Sequence, residues 1–591
     1  MTDKRSYLRG ASVLAVLSLG LAAPALAQTQ STADKTTDVE EVVVTGSYIA
    51  GTPEDAALPV DVIGANDLKK QGNPTIVQLV KTITASQSAI GESNRYNAGA
   101  GTASINLRGF GASRTLTLFN GRRLADSVSG AAQGGGADLN FIPTAAVGRI
   151  EILKDGAAAT YGSDAIGGVV NFITRTDLNG FEVEGEYNAI DGSKGDYQSS
   201  VAFGKKFENG SILLTAGYRH RSRLDIHDRD WAIGSFADTG GYNGAGGFTG
   251  AANPGFYQAN VPAAQRTLAA NASFRDNGCA ELGGTLTNTV TLPNPISGQQ
   301  GNAATASVAI PVNPLSPQTA TSVCRFQFSN FNDLVNHEDH YQLYGEVNFN
   351  FTDDLRFHAE AAWNRNNVPN QRLSPANLST QFPTPTSLGG ESGSVFTPGA
   401  QNFFVPYNVP ATNPGLIDLY TTCAAPLTAA QCASMRGAGG VDISQTTWRA
   451  IAFAGHPTNK DLADHQDIEQ TEYRVSAGIS GKVIEGINFD SAITYMEVKQ
   501  ITNTSDLLVD RIQLALNGFG STSADPTSCS AAERAVAANA GNNAVGCYFF
   551  NPFSNSVAVS AITGASNPFY RGGANARLAN NPLTLAWMYG N

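Results

Sequence analysis

Charge, long apolar runs and clustered cysteines are all scarce in this chain of 591 residues, and each scarcity excludes a class of protein. Charged residues make up 15% and the formal net charge is −12, which argues against nucleic acid as a partner. The six cysteines include no C-x-x-C pair, so we expect no zinc or thiol redox site. The sequence has no G-x-S-x-G element, no P-loop and no convincing catalytic triad, so we expect neither enzyme activity nor a cofactor.

The N-terminus has the features of an export signal. A basic start at residues 4–9 precedes an apolar run at 11–21, and Ala25-Leu26-Ala27 forms a small-residue cleavage site. We therefore predict a cleaved signal peptide over residues 1–27; the alternative is a membrane anchor. After this segment no apolar run reaches 18 residues, which excludes a helical membrane protein.

A short β-branched run and a small domain come next. The run is Val42-Val43-Val44-Thr45-Gly46, which has no local partner strand and can add to the sheet edge of another protein. The alternative is an edge strand of its own domain. Residues 55–175 are typical of a small α/β domain, with helical spacing at 74–80 and predicted strands at 104–108, 115–119, 149–153 and 169–174 between glycine-rich turns.

From residue 181 the pattern changes to strands of period-two alternation. In one of them Phe357, Ala359 and Trp363 alternate with polar residues. Seven such strands are predicted, at 181–189, 197–207, 211–219, 341–351, 356–364, 472–480 and 487–495. Alternation alone fits both a soluble sandwich and a membrane barrel. After the first connection, tight turns alternate with long stretches such as 222–336, which favours a transmembrane antiparallel β-barrel with short periplasmic turns and long extracellular loops.

The cysteines and histidines concentrate in or beside the long connections. Exported proteins keep disulfides, so we predict that the cysteines pair in sequence order. The predicted bridges are Cys279–Cys324, Cys423–Cys432 and Cys529–Cys547. The segment His337-Glu338-Asp339-His340 could ligate a metal, as could His220, His227 and Asp228. These residues lie at strand ends beside a loop, where we expect their side chains to form a solvent-exposed rim. We therefore predict no metal site.

Several segments resemble TonB-dependent receptors. The sequence VGRIEILKDGAAATYGSDAIGGVVNFIT at 147–174 closely resembles the end of their plug domain, and LRGF at 107–110 and LFNGRR at 118–123 match two further plug motifs. The run Val42–Gly46 resembles their TonB box. The family's order of signal, box, plug and barrel is also the order found here. The resemblance implies a signal peptide at 1–27, a periplasmic tail with the box at 28–54, a plug domain at 55–175 and a partial barrel at 181–591.

The resemblance also implies a function. It predicts active uptake of a scarce nutrient across the bacterial outer membrane, with a ligand-gated plug pulled by TonB of the TonB–ExbB–ExbD complex. Siderophores, cobalamin and oligosaccharides remain open as ligands, and outer-membrane lipid surrounds the barrel. By family resemblance, Arg108 and Arg149 are candidates to face barrel glutamates; the alternative is that they pair within the plug. A passive plugged porin and a surface adhesin are the rival functions.

Barrel geometry sets the expected number of strands. A plug of about 120 residues has a diameter of roughly 35 Å by the usual size scaling. Each tilted strand adds about 6.3 Å of circumference, so seven strands close a ring only about 14 Å across. About 22 strands give roughly 44 Å between backbones, enough to hold the plug, and about 22 is the strand number of plugged transporters. We therefore expect this chain to be part of a longer protein.

Overall fold

The computed structural model describes most of the chain after residue 59. The described residues are 60–64, 67, 74–87, 101–128, 135–154, 157–236, 247–250, 253–260, 273–293, 305–311, 322–375, 378–379, 381–382, 405–443, 447–485, 487–521 and 547–590. The predicted signal peptide, the run Val42–Gly46 and Cys529 lie outside these residues. In the described part of the chain, no helix combines the length and the apolar character needed to cross a membrane.

The predicted plug domain is built on a five-stranded mixed sheet. Its elements are β1 (Val60–Gly64), α1 (Ile76–Thr82), β2 (Thr115–Phe119), β3 (Arg122–Arg123), β4 (Val147–Leu153), α2 (Ala157–Tyr161) and β5 (Gly168–Thr174). The strand order is β1-β4-β5-β2-β3, and only the β2–β5 pair is parallel. Both β2 and β5 are almost wholly buried, which suits their β-branched and apolar composition.

Helix α1 begins where the sequence supplies a cap. The Thr75 hydroxyl accepts from the amide of Gln78, and the Gln78 side chain accepts from the Thr75 amide, which is a complete capping box. The helix then buries Ile76, Leu79 and Val80 in the plug core. The predicted helical spacing at 74–80 is thus present in the structure, shifted by two residues at each end.

One plug strand was predicted wrongly and two were missed. Residues 104–108 form no strand; the segment makes a single isolated bridge, Ser86 with Leu107. Its backbone groups bond elsewhere, since the Leu107 amide donates to the Thr115 hydroxyl at 2.9 Å and the Arg108 amide to the Ala85 carbonyl at 2.7 Å. Arg108 also has φ 56°, a left-handed conformation that ends an extended run. The missed strands are β1, which pairs antiparallel with β4, and the two-residue β3, which pairs antiparallel with β2.

The seven predicted alternating strands form one antiparallel sheet, here called the large sheet. They are β6 (Gly180–Asn188), β7 (Asp196–Phe207), β8 (Gly210–Arg221), β9 (Glu338–Thr352), β10 (Leu355–Leu373), β11 (Asp464–Ile484) and β12 (Ile487–Thr504). Each strand pairs with its neighbours in sequence, from β6 to β12. The prediction of seven strands is confirmed, although β10 and β11 extend several residues further than predicted toward the long connections.

The large sheet exposes its apolar face and buries its polar face, which is the opposite of a sheet in a soluble protein. Phe181, Val183 and Ile493 on the outer face are 66%, 65% and 84% exposed, whereas Glu360 and Glu472 on the inner face are 4% and 1% exposed. The inner face packs against the plug domain. This arrangement resolves the ambiguity of the alternation, because a sandwich would bury the apolar face instead.

The long connections fold into structure of their own. They contain the helices α3 (Pro414–Thr422), α4 (Ala429–Gly437), α5 (Val509–Leu516) and α6 (Pro582–Trp587). Their short strands are Leu224–Asp225, Phe248–Thr249, Phe256–Ala259, Ser273–Arg275, Thr285–Pro293, Thr305–Pro311, Val323–Gln327, Asp333–Val335, Leu378–Ser379, Gln381–Phe382, Val405–Pro406, Asn408–Pro410, Gly440–Ile443, Thr447–Trp448, Asp506–Leu507 and Tyr589–Gly590. A core that includes Trp448, Phe550 and Phe553 holds them together. This core was not predicted from the sequence.

Disulfides join parts of these connections. The structure pairs Cys279 with Cys324 and Cys423 with Cys432, in the order predicted. Cys547 is also disulfide-bonded. In the usual entropy model each bridge stabilises the fold by roughly 2–4 kcal/mol, because it restricts the unfolded chain.

Candidate functional site

A buried cluster of charged groups lies where the plug domain meets the large sheet. Period-two alternation turns Glu346 of β9, Glu360 of β10 and Arg474 of β11 toward the inner face, and the register places Glu346 directly opposite Glu360. The Arg474 guanidinium forms an ion pair with the Glu360 carboxylate, and both side chains are 1% exposed. The Tyr344 hydroxyl donates to Glu346 at 2.6 Å. We call these four residues the wall cluster.

The plug domain reaches the wall cluster through two polar side chains. The Asn120 amide donates to Glu360 at 2.6 Å, and the Thr174 hydroxyl donates to Glu346 at 2.5 Å. The Asn120 side-chain oxygen also accepts from the Thr174 amide at 3.0 Å, so one side chain links β5 to the sheet. The Phe119 ring lies 5.5 Å from the Arg474 guanidinium carbon. The plug domain therefore docks on the wall cluster by charge-assisted hydrogen bonds.

The local sequence explains the position of Asn120. Asn120 and Gly121 link β2 to β3 with φ 50° and 74°, which is the conformation of an Asn-Gly hairpin turn. Asparagine tolerates that conformation better than most side-chain-bearing residues, and its amide is short enough to stay at the turn and face the sheet. The motif LFNGRR was recognised in the sequence, but the role of its Asn120 was missed. The Asn-Gly dipeptide was the available signal.

A second polar contact lies at the other end of the plug domain. The Gln470 amide of β11 donates to Asp138 at 3.1 Å, and Arg219 of β8 donates to the Asn140 side chain at 3.0 Å. Asp138 also accepts from the backbone amides of Ala103 and Asn140. Burial raises the pKa of Asp138 to about 6, although these hydrogen bonds and the positive charge of Arg219 oppose the rise.

The two arginines proposed from the family resemblance make their described contacts inside the plug domain. Arg108 donates to the carbonyls of Gly167 and Ile166, and Arg149 pairs with Glu151 at 2.9 Å. Their contact with sheet glutamates stays a prediction. A plug arginine that does pair with the sheet is Arg122, which forms an ion pair with Asp490.

A polar cavity separates the plug domain from the short-turn half of the sheet. Its volume is about 450 Å³, and its lining includes Arg149, Glu151, Glu346, His358 and Asp490. The charges of both signs on its walls favour water as its content. The plug domain therefore touches this part of the sheet at separate polar points and not over a continuous apolar surface.

A third polar group lies at the long-connection end of the sheet. Here the register places His220 of β8 opposite Asp339 of β9, and their side chains contact at 2.8 Å. His337, just before β9, contacts the other Asp339 oxygen at 3.1 Å. Burial lowers the pKa of His337 below the ordinary histidine value, although Asp339 opposes this effect. We call these three residues the rim triad.

The structure separates histidines that were grouped together on the sequence. The segment 337–340 was considered as one group, but alternation turns His340 to the inner face, where it contacts Arg219 at 2.8 Å. His227 contacts Asp225 at 2.7 Å, away from the triad. His220 and His337 come together only through strand pairing, which the sequence spacing did not reveal.

Comparisons with known proteins agree with this architecture. The family model described as "TonB-dependent Receptor Plug Domain" matches residues 52–169. The vitamin B12 transporter BtuB of Vibrio cholerae serotype O1 is 32% identical over 197 residues, which are 32% of this chain and 30% of that transporter. The match thus spans less than a third of the transporter's length.

Two receptors are among the solved structures that this chain matches. The ferric enterobactin receptor PfeA of Pseudomonas aeruginosa is 13% identical with a TM-score of 0.36, covering 77% of this chain and 42% of that one. The pyoverdine outer membrane receptor FpvA of the same species is 9% identical with a TM-score of 0.34, covering 77% and 39%. Together with the plug motifs, the family-model match leads to one conclusion: this chain carries a TonB-dependent receptor plug domain, and that domain is followed by a sheet of seven antiparallel strands.

Proposed function

We propose that this protein lies in the bacterial outer membrane and takes up a scarce nutrient by active transport, driven by the TonB complex of the inner membrane. The observation that carries the proposal is a plug domain that makes polar contacts with the inner face of the large sheet, whose apolar outer face is exposed. The outer face presents Phe181, Val183 and Ile493 to its surroundings, as a lipid-facing surface does. The wall cluster faces the plug domain.

The polar docking suits a plug that moves. Hydrogen bonds from Asn120 and Thr174 to the wall cluster can exchange for bonds to water when the plug shifts. The polar cavity beside Arg149 leaves room for such a shift. The apolar core of the plug, which includes Phe119 and Phe172, can stay intact because it lies mostly within the plug itself.

The proposed coupling uses the run Val42–Gly46 as a strand for TonB. A short β-branched segment can satisfy its backbone by pairing with an exposed sheet edge of a partner. Binding of nutrient at the long-connection end would make this segment available, and force on it would displace the plug. The vitamin B12 transporter and the ferric siderophore receptors among the relatives suggest cobalamin or a ferric siderophore as ligand classes.

The test is a proline substitution in the proposed box. Val43→Pro removes a backbone donor and fixes φ, so strand pairing with TonB should fail. The matched control is Thr32→Pro, in the polar segment before the box. We expect the purified Val43→Pro protein to bind the TonB periplasmic domain at least tenfold more weakly than wild type, and the control to bind normally.

Uptake separates this proposal from its rivals. Cells that express either variant are given labelled cyanocobalamin and, separately, ferric enterobactin. We expect the Val43→Pro cells to retain surface binding of the transported probe and to lose its uptake. Unchanged uptake would indicate a passive plugged porin, and equal loss of binding and uptake would refute a specific role for the box.

A further inference from the structure

The rim triad has the donor set of a transition-metal site. Two imidazoles and one carboxylate, from His220, His337 and Asp339, place one potential ligand atom each within 4.8 Å of one another. Ligand atoms around a tetrahedral zinc ion, at bonds of about 2.0–2.2 Å, lie about 3.3 Å apart. The two contacts of Asp339, at 2.8 and 3.1 Å, need only a small expansion to reach that spacing.

Asp339 presents its two oxygens to the two imidazoles. The His220 Nδ1 atom lies 2.8 Å from one oxygen, and the His337 Nε2 atom lies 3.1 Å from the other. In a neutral imidazole either ring nitrogen can carry the lone pair that a metal ion requires. The carboxylate therefore lies between two potential nitrogen ligands.

The two imidazoles also lie close to each other. The ring centres of His220 and His337 are 4.9 Å apart. A metal ion binds neutral imidazoles, so both rings can ligate one ion beside a single carboxylate.

The surroundings hold the triad in place while leaving it accessible. The His220 ring stacks on Tyr197 with ring centres 4.6 Å apart, and the Tyr218 hydroxyl donates to Asp339 at 2.7 Å. Such outer contacts orient the ligands of protein metal sites. His337 Nε2 is shielded from solvent and has no well-aligned hydrogen bond within the described residues. The side chains of His220, Asp339 and His337 are 18%, 17% and 34% exposed, so an ion can enter.

We propose that His220, His337 and Asp339 bind one divalent transition-metal ion of the Zn²⁺ class at the outer rim of the sheet. Imidazole and carboxylate donors suit such ions, and three protein ligands leave one position for water or another ligand. The ion would join the two stems of the connection 222–337, since His220 lies before it and His337 at its end. It would therefore stabilise that connection by mass action. The proposal does not depend on transport.

The test uses the purified full chain in detergent, freed of metal with a chelator. Zn²⁺ is added and followed by calorimetry, and Co²⁺ is added and followed by its visible absorption. We expect one equivalent of Zn²⁺ and the strong absorption of four-coordinate Co²⁺. His337→Gln and Asp339→Asn should each weaken Zn²⁺ binding at least tenfold and abolish the Co²⁺ bands.

The matched control is His227→Gln, because His227 lies in the same connection and contacts Asp225 instead of the triad. This variant should bind both metals as the wild type does. Equal weakening in the His227→Gln and His337→Gln proteins would mean that the ion binds elsewhere. Absence of a stoichiometric Zn²⁺ site in the wild type would mean that the triad is only a hydrogen-bonded histidine–carboxylate group, and either result would overturn the proposal.

Discussion

Replacing Glu360 with alanine should remove the main anchor between the plug domain and the sheet. One Glu360 oxygen pairs with Arg474, and the other accepts from the Asn120 amide at 2.6 Å. Without the carboxylate, the Arg474 guanidinium stays buried, 1% exposed, with an uncompensated charge. Removing one member of a buried ion pair costs about 3–5 kcal/mol of folding free energy.

The chain offers a matched control on the same two strands. Arg365 of β10 and Glu469 of β11 form an ion pair at 2.6 Å, but their side chains are 42% and 39% exposed. An exposed pair of this kind contributes about 0–1 kcal/mol, because water screens it. Glu469→Ala should therefore change the free energy of unfolding far less than Glu360→Ala.

The measurement is equilibrium unfolding of the detergent-solubilised protein in urea, with hydrogen exchange of the β2 and β5 amides as a local readout. The double variant Glu360→Met/Arg474→Met removes both charges, so it should recover most of the loss. Equal destabilisation by Glu360→Ala and Glu469→Ala would refute the reasoning. So would a double variant whose loss is the sum of the two single losses.

Two further predictions concern the plug side of the interface. Asn120→Gly keeps the left-handed turn but loses the bond to Glu360, whereas Asn120→Asp places a carboxylate against Glu360. Hydrogen exchange of β2 should rise more in the Asp variant, and an equal rise in both would contradict the assigned contact. For Asp138, whose pKa burial raises to about 6, the folded state holds the proton more tightly than the unfolded state. The contribution of Asp138 to stability should therefore fall by at most about 3 kcal/mol as pH rises from about 4 to about 6. Asp138→Asn should reduce the slope of the free energy of unfolding against pH over that range. An unchanged slope would contradict the prediction.

The sequence predicted the large sheet well because one physical pattern governs it. Each strand alternates apolar and polar residues, and each tight turn joins neighbours, so strand number and order followed directly. The ends were harder. The part of β10 at 365–373 is mostly polar and contains Pro369, which is typical of a connection, yet it pairs with β11 from Thr471 to Asp464.

The plug domain and the site were predicted less completely, because tertiary contacts decide them. The 104–108 segment has the composition of a strand, but the Thr115 hydroxyl and the Ala85 carbonyl satisfy part of its backbone. Glu346 and Glu360 occupy polar positions that suit a watery lumen. They are buried only because the plug domain covers them, and no local sequence pattern predicts that contact.

The polar inner face of the large sheet also suggests how a plug could be bound firmly and still be displaced. If Phe or Leu side chains lined the inner face, displacing the plug would expose apolar surface at about 25 cal/mol per Å². Here the interface consists largely of hydrogen bonds such as Asn120 to Glu360 and Thr174 to Glu346. Water can replace each of these at a net cost of about 0.5–3 kcal/mol. Leu213 and Tyr344 of the sheet also pack on the plug core, so displacement would expose some apolar surface as well. Because the hydrogen bonds lie at separate points around a polar cavity, force applied to one edge of the plug can break them one after another. Polar docking therefore keeps the plug in place at rest while making its displacement cheaper than its unfolding.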